Sequence, residues 1–204
     1  GRPVKGAEQE KPAGKVSIVI EPLKNKLSVY MDDKLYRQYP VALGKRSTPT
    51  PVGTWKVRNK MKNWGKGFGT RWIGLNVPWG IYGIHGTNRP NSIGRDVSHG
   101  CIRMFNKDVE ELYELVQHGT EVTILGHVLG EPHVEPRRLA AGDSGADVQY
   151  IQSRLQSAGY YQGSCHGKFL RSTEQALKAF EKANGLPVDG VMSLHDYIAL
   201  GIYE

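Results

Sequence analysis

The chain of 204 residues is short of cysteine, short of acidic side chains over its first part, and lacks any long apolar run. Each shortage excludes something. Cys101 and Cys165 are the only cysteines, so at most one disulfide could form and a disulfide framework does not hold the fold. The two fall in segments of different character. Cys165 stands in a polar turn, where a surface thiol or a small packed residue is expected. Few cysteines do not argue against export. No apolar stretch has the length of a bilayer-spanning helix, so no transmembrane segment is expected. No leader peptide is visible, and the chain opens on Gly1, which reads as a trimmed start with any export signal or anchor upstream.

The charge is uneven. Residues 1–126 hold 20 Lys and Arg against 11 Asp and Glu, a net of +9, whereas residues 127–204 hold 7 and 9, a net of −2. The basic excess lies wholly in the first part and suits a polyanionic partner: nucleic acid, acidic lipid, or a wall polymer rich in carboxylate and phosphate. The chain is 39% hydrophobic, enough for a buried core, and its 25 Gly and 11 Pro favour strands and tight turns.

Residues 1–14 are polar and aperiodic and read as a linker or tail. Alternation then predicts strands at Val16–Ile20, Leu27–Met31 and Leu35–Val41, with a polar turn at Asp32-Asp33-Lys34. Thr48-Pro49-Thr50-Pro51-Val52-Gly53 cannot be regular strand, because two prolines remove ladder donors. Further strands are predicted at Trp55–Arg58, Trp72–Leu75, Ile81–Ile84 and Glu121–Leu125. A helix is predicted from Asn106, read as its N-cap, to Gly119, read as its C-cap, with Val109, Leu112, Leu115 and Val116 as its apolar stripe. Residues 127–141 read as an interdomain linker. Beyond them the period turns helical: Val148, Ile151 and Leu155; then a helix from about Ser172 or Thr173 to Gly185; then Ser193–Leu200. A faint internal echo sets Cys165-His166-Gly167-Lys168-Phe169 against Val188-Asp189-Gly190-Val191-Met192. The reading is an α+β multidomain chain: a mainly-β, sandwich-like domain with one helix over 15–126, and a small three-helix bundle over 142–204.

The densest chemical signal is Ile84-His85-Gly86-Thr87 followed by Ser98-His99-Gly100-Cys101-Ile102-Arg103. A thiol is mostly protonated at neutral pH, so thiolate chemistry needs a neighbouring base, and His85 at a strand end could serve Cys101 across a turn. Gly100 lets the backbone approach a substrate carbonyl, and amides near Cys101 could hold an oxyanion. Arg103 shares a side with Cys101 in an extended segment and could grip a carboxylate. Two other readings stay open on spacing alone: a small packed cysteine with a structural histidine, or a zinc set of His85, His99 and Cys101 lacking an evident fourth ligand.

His85-Gly86-Thr87 with Ser98-His99-Gly100-Cys101-Ile102-Arg103-Met104 resembles the signature of the YkuD-type L,D-transpeptidase family, and Thr50-Pro51-Val52-Gly53 resembles that family's T-P-x-G turn. The stretch Gly142-Asp143-Ser144-Gly145 through Gly185-Leu186-Pro187-Val188-Asp189-Gly190-Val191 resembles the peptidoglycan-binding domain 1 family, departing from it at Cys165-His166-Gly167, where Asp-Gly is typical. The resemblance implies Cys101 as nucleophile and His85 as base. Gly86 would orient the imidazole through its carbonyl, Ser98, His99 and Gly100 would shape the oxyanion region, and Arg103 would be a substrate contact. It implies no metal and no organic cofactor, peptidoglycan stem peptides and glycan as partners, carbapenem β-lactams as inhibitors, and action in the cell wall outside the cytoplasm. The expected reaction is 3→3 cross-linking through a thioester. The alternatives are L,D-carboxypeptidase action on the same stems or a catalytically inactive wall-binding protein.

Trp55, Trp64, Phe68 and Trp72 interleave with Lys56, Arg58, Lys60, Lys62, Lys66 and Arg71. Such a mixture can mark a nucleic-acid groove. The plain alternative is a glycine-hinged loop with solvated charges; beside Cys101 and His85, a lid over an anionic stem peptide is favoured over a nucleic-acid groove, so no nucleic-acid partner is expected. Trp79 and Tyr82, just before His85, are candidate substrate contacts, with core packing as the equal alternative.

Overall fold

The computed structural model describes residues 14–204, so the reading of 1–14 as a tail lies almost entirely outside the described residues. These residues form two compact units, the first ending at Gly126 and the second running His127–Glu204.

The first unit begins with β1 (Val16–Glu21), β2 (Lys26–Met31) and β3 (Lys34–Pro40) as an antiparallel meander. Asp32 and Asp33 both take positive φ, 46° and 66°, and Met31 pairs directly with Lys34. That is the two-residue turn whose twist suits a hairpin. A two-residue β4 (Leu43–Gly44) precedes β5 (Gly53–Lys62), and β6 (Arg71–Leu75), β7 (Tyr82–His85), β8 (Asp96–Ser98) and β9 (Ile102–Arg103) follow. Helix α1 (Asn106–Leu115) leads to β10 (Glu121–Ile124). Eight strands lie in the order β3-β2-β1-β10-β5-β6-β7-β9, and β4 pairs with β8 separately. β5 is shared between two halves of this curled sheet. Its start, Gly53–Lys56, pairs with β10, and its remainder from Val57 pairs with β6, with a register shift between Val57 and Asn59.

The core behind the sheet comprises Ile18, Ile20, Val29, Val57, Ile73, Ile84, Ile102 and Val122 among others, capped by Val109, Leu112 and Leu115 of α1. The sequence reading ran this helix too far. After Leu115 the chain turns extended at Val116 (φ −92°, ψ 152°), and Gly119 donates its N–H to Val57 O at the β5 edge. Phe105, not Asn106, holds the N-cap position, because the Asn106 side chain is engaged elsewhere. β5 exceeds the predicted Trp55–Arg58 at both ends, His85 is the last residue of β7 instead of following it, and β4, β8 and β9 were not foreseen.

The second unit holds α2 (Ala146–Ser157), α3 (Arg171–Ala183) and α4 (Leu194–Ala199) around its own core of Val148, Ile151, Leu155, Phe169, Leu177, Phe180, Met192 and Tyr197. Ser193 and Asp196 close α4 with a capping box. The end of the stretch read as linker is packed into this unit: Leu139 is fully buried and bridges Met192, and Arg137 holds Asp147 at 2.7 Å. No helix among the described residues is long and apolar enough to cross a membrane.

Candidate active site

Register builds the site. β7 and β9 run parallel with Ile84 opposite Ile102 and His85 opposite Arg103. Both isoleucines are fully buried in the core. Alternation therefore sends His85 and Arg103 to the other face, and Cys101, which stands just before β9, brings its Sγ to 4.0 Å from Ile81 O just before β7. The Arg103 charge bears on both His85 and Cys101.

His85 is 4% exposed, and its Nδ1 lies 2.6 Å from Gly86 O. A carbonyl only accepts, so Nδ1 carries the proton and Nε2 keeps a lone pair. The ring is enclosed by aromatics: Trp72 stacks at 5.9 Å between ring centroids, and Phe68 meets it edge-on at 5.2 Å. Trp64 extends this cluster over Trp72 and Phe68. Burial is the main reason the imidazole pKa falls to about 4; the Gly86 bond opposes the fall and Arg103 adds to it. Burial also raises the Cys101 thiol pKa, against the pull of a backbone contact at Gly83 and of Arg103. Both groups therefore rest neutral at neutral pH.

Ser98, almost fully buried at the end of β8, donates its hydroxyl to Cys101 O at 2.6 Å and accepts the Gly100 N–H at 3.1 Å. This clamp fixes the bend that presents Cys101. The N–H of Gly100 is thereby taken, and that of Cys101 has no partner among the described residues. Gly100 sits at φ +120°, and a Cβ there would stand 2.7 Å from Tyr82 Cε1. Only glycine fits that place. Thr48 donates to Ser98 O and Thr50 accepts from the Gly44 N–H, so the proline-rich turn braces the β4–β8 pair from beneath.

The predicted residues do not all converge. His99 is exposed, and His85, His99 and Cys101 do not bring ligand atoms together as a metal set would. Trp79 and Tyr82 are half-buried against the core, Trp79 packing edge-on against Trp55. Tyr82 supports Gly100. Both cysteines are free thiols, and Cys165 Sγ lies 3.7 Å from Gln156 Oε1.

Asn106 was misread. Its Oδ1 accepts the Thr70 N–H at 3.1 Å and its Nδ2 donates to Thr87 O at 3.2 Å, while a Cβ on Gly86 would collide with its amide. It thus ties the loop carrying Phe68 to the segment carrying Gly86. The aromatic wall around His85 was also missed. Its residues were visible, but no spacing showed that they close on an imidazole.

Fold and site define a mainly-β domain with a buried, neutral His85 and a free Cys101 thiol, both under the charge of Arg103. The chain belongs to the L,D-transpeptidase catalytic domain family, whose YkuD model matches residues 15–124. Residues 144–194 match the family described as "Putative peptidoglycan binding domain". The chain is 48% identical over 98 residues to "Putative L,D-transpeptidase YkuD" of Bacillus subtilis, covering 48% of this chain and 58% of that protein. It is 38% identical over 122 residues to "Putative L,D-transpeptidase YqjB" of the same organism, covering 52% and 69%. A solved structure described as "the Ldtfm-avibactam carbamoyl enzyme" is similar with a TM-score of 0.50 and 28% identity, over 55% of this chain and 49% of that one.

Proposed function

We propose that this chain is a cysteine acyltransferase that forms 3→3 cross-links between peptidoglycan stem peptides. The reading is supported by one observation: the buried His85, with Nδ1 committed to Gly86 O, lies opposite Arg103, two residues after Cys101, in a domain of the L,D-transpeptidase family. His85 Nε2 takes the Cys101 proton as sulfur attacks the carbonyl of the third stem residue. The Cys101 N–H faces the developing oxyanion, and Arg103, with no acidic partner among the described residues, receives a stem carboxylate. The protonated imidazole returns its proton to the departing D-alanine amine, leaving a thioester. A side-chain amine of a second stem then attacks that thioester, its proton passes to His85, and the Cys101 thiol is restored. We expect this reaction in the cell wall, outside the cytoplasm. Carbapenems, whose strained lactam carbonyl can meet the same thiolate, are its expected inhibitors.

Mass spectrometry of tetrapeptide muropeptides after incubation with the protein tests this. Cross-linked dimers with loss of D-alanine are expected, and Cys101→Ala should abolish them. Tripeptide monomers alone would replace the transpeptidase reading with carboxypeptidase action, water having taken the place of the amine.

A further inference from the structure

The second unit uses one small device twice. In its first copy, fully buried Gln152 on α2 accepts the Gly167 N–H at 2.8 Å through Oε1. Its Nε2 donates to Lys168 O at 2.9 Å and to Thr173 Oγ1 at 3.0 Å, Thr173 being the third residue of α3. In the second copy Glu181 on α3 accepts the Gly190 N–H at 2.9 Å through Oε1. The third residue of α4 is Asp196. An amide facing a hydroxyl has become a carboxylate facing a carboxylate.

The consequence is a carboxyl pair short of partners, in which burial first and the neighbouring Asp196 next raise the Glu181 pKa well above the usual carboxylate range, against the pull of the Gly190 N–H. Glu181 and Asp196 are both 0% exposed, and Glu181 Oε2 and Asp196 Oδ1 are buried without a hydrogen-bond partner. Asp196 Oδ2 is fully used by the Ser193 N–H and hydroxyl, each at 3.0 Å, and by His195 Nε2 at 3.3 Å. Glu181, Asp196 and His195 each bring one ligand atom within 4.8 Å of the others. Two buried carboxyl groups, each with one oxygen left without a donor, are costly to ionise side by side, and a cation between them, displacing the Glu181 proton, removes both the repulsion and the unmet lone pairs.

We propose that Glu181, Asp196 and His195 bind a zinc-type divalent cation that clamps α3 to α4. One imidazole with two carboxylates suits zinc; calcium and magnesium prefer more ligands, all oxygen. Tetrahedral ligands at ~2.0–2.2 Å from an ion stand roughly 3.3–3.6 Å apart, so the three atoms need only a small inward movement. His195 exchanges its contact with Asp196 Oδ2 for the ion. Its half-exposed ring leaves a way for water to fill the fourth position. The exposed Asp189 adds negative charge at the mouth. The role is structural and separate from the chemistry at Cys101.

The test uses the full chain carrying Cys101→Ala, so that the thiol does not hold metal, with and without Glu181→Gln. That second substitution installs the amide of the first copy and is expected to fold. Each protein is dialysed against zinc salt alone, its retained metal is counted, and its unfolding is followed by calorimetry with zinc or with chelator. The Cys101→Ala chain should retain about one equivalent, with a Tm raised by roughly 10 °C at a hundredfold excess over Kd. Adding Glu181→Gln should remove both effects. Equal retention by the two proteins, or no retention and no shift in the first, overturns the proposal. A proton shared between Glu181 and Asp196 would then be the remaining way to satisfy the pair.

Discussion

At the scale of single residues, the depressed pKa of His85 makes acid sensitivity a measurable property of the fold. The imidazole titrates at about 4 in the native state and near 6.5 unfolded. Between those values the unfolded chain binds the proton and the native one does not, so stability falls as pH falls through that window. The stabilisation is complete above pH 6.5 and gone below pH 4, about 3 kcal/mol in all. Denaturant midpoints of wild type and His85→Gln from pH 7 to pH 4 should differ in slope by that amount, and parallel curves would refute it. Asn106 gives a second expectation. Asn106→Ala frees Thr70 and Thr87 together. It should cost about 1–2 kcal/mol of stability. By loosening Gly86 it should also slow Cys101 acylation roughly tenfold, with Asn106→Asp recovering part because one acceptor survives. Cys101 and His85 stood out in the sequence as candidates because a thiol and an imidazole on adjoining segments are the minimum for thiolate chemistry. Asn106 did not, because asparagine opening a helix is ordinarily a cap, and only the fold shows two loops meeting at its amide.

At the scale of elements, the segment between β5 and β6 matters most. It brings Trp64 and Phe68 over Trp72 and His85. Phe68→Ala should admit water to the imidazole and lift its pKa by about one unit or more toward 6.5. The acid limb of acylation by a soluble carbapenem should move up in pH by the same interval, and an unmoved limb would show that Trp72 and burial suffice without this loop. Alternation made the long strands readable, since Ile18, Ile20 and Val29 face one core. β8 and β9 were hidden because three and two residues are too few to show a period, and their place depends on partners far away in sequence. The overlong helix has a similar cause. Val116 continues the apolar stripe, yet it is buried as extended chain because Gly119 bonds to β5.

At the scale of the whole molecule, two units with separate cores carry opposite net charge. We expect the basic first unit to bind an anionic wall through charge and to let go as salt rises. The second, at −2, would bind by shape and hydrogen bonding with little salt dependence. Sedimentation of residues 1–126 and of 127–204 with purified sacculi, at low and high salt, tests both halves of this expectation. A second unit that never sediments would remove its assigned role. Truncation after Gly126 should leave carbapenem acylation of Cys101 within about twofold of the full chain, because independent domains couple weakly.

The position of β10 governs how such a chain can be made. It is the last strand of the first unit, yet it lies in the middle of the sheet, parallel to β1 and antiparallel to β5. While the ribosome is still working, β1 to β3 can pair among themselves, as can β5, β6, β7 and β9, but within the eight-stranded sheet nothing joins the two groups, which otherwise meet through the β4–β8 pair and the Ala42–Arg103 bridge. The joint forms only once Ile124 has emerged, and it spans about a hundred residues of intervening chain, a slow kind of closure. Until then two half-sheets expose the strand edges that β10 will occupy, the kind of unpaired edge on which another chain can add.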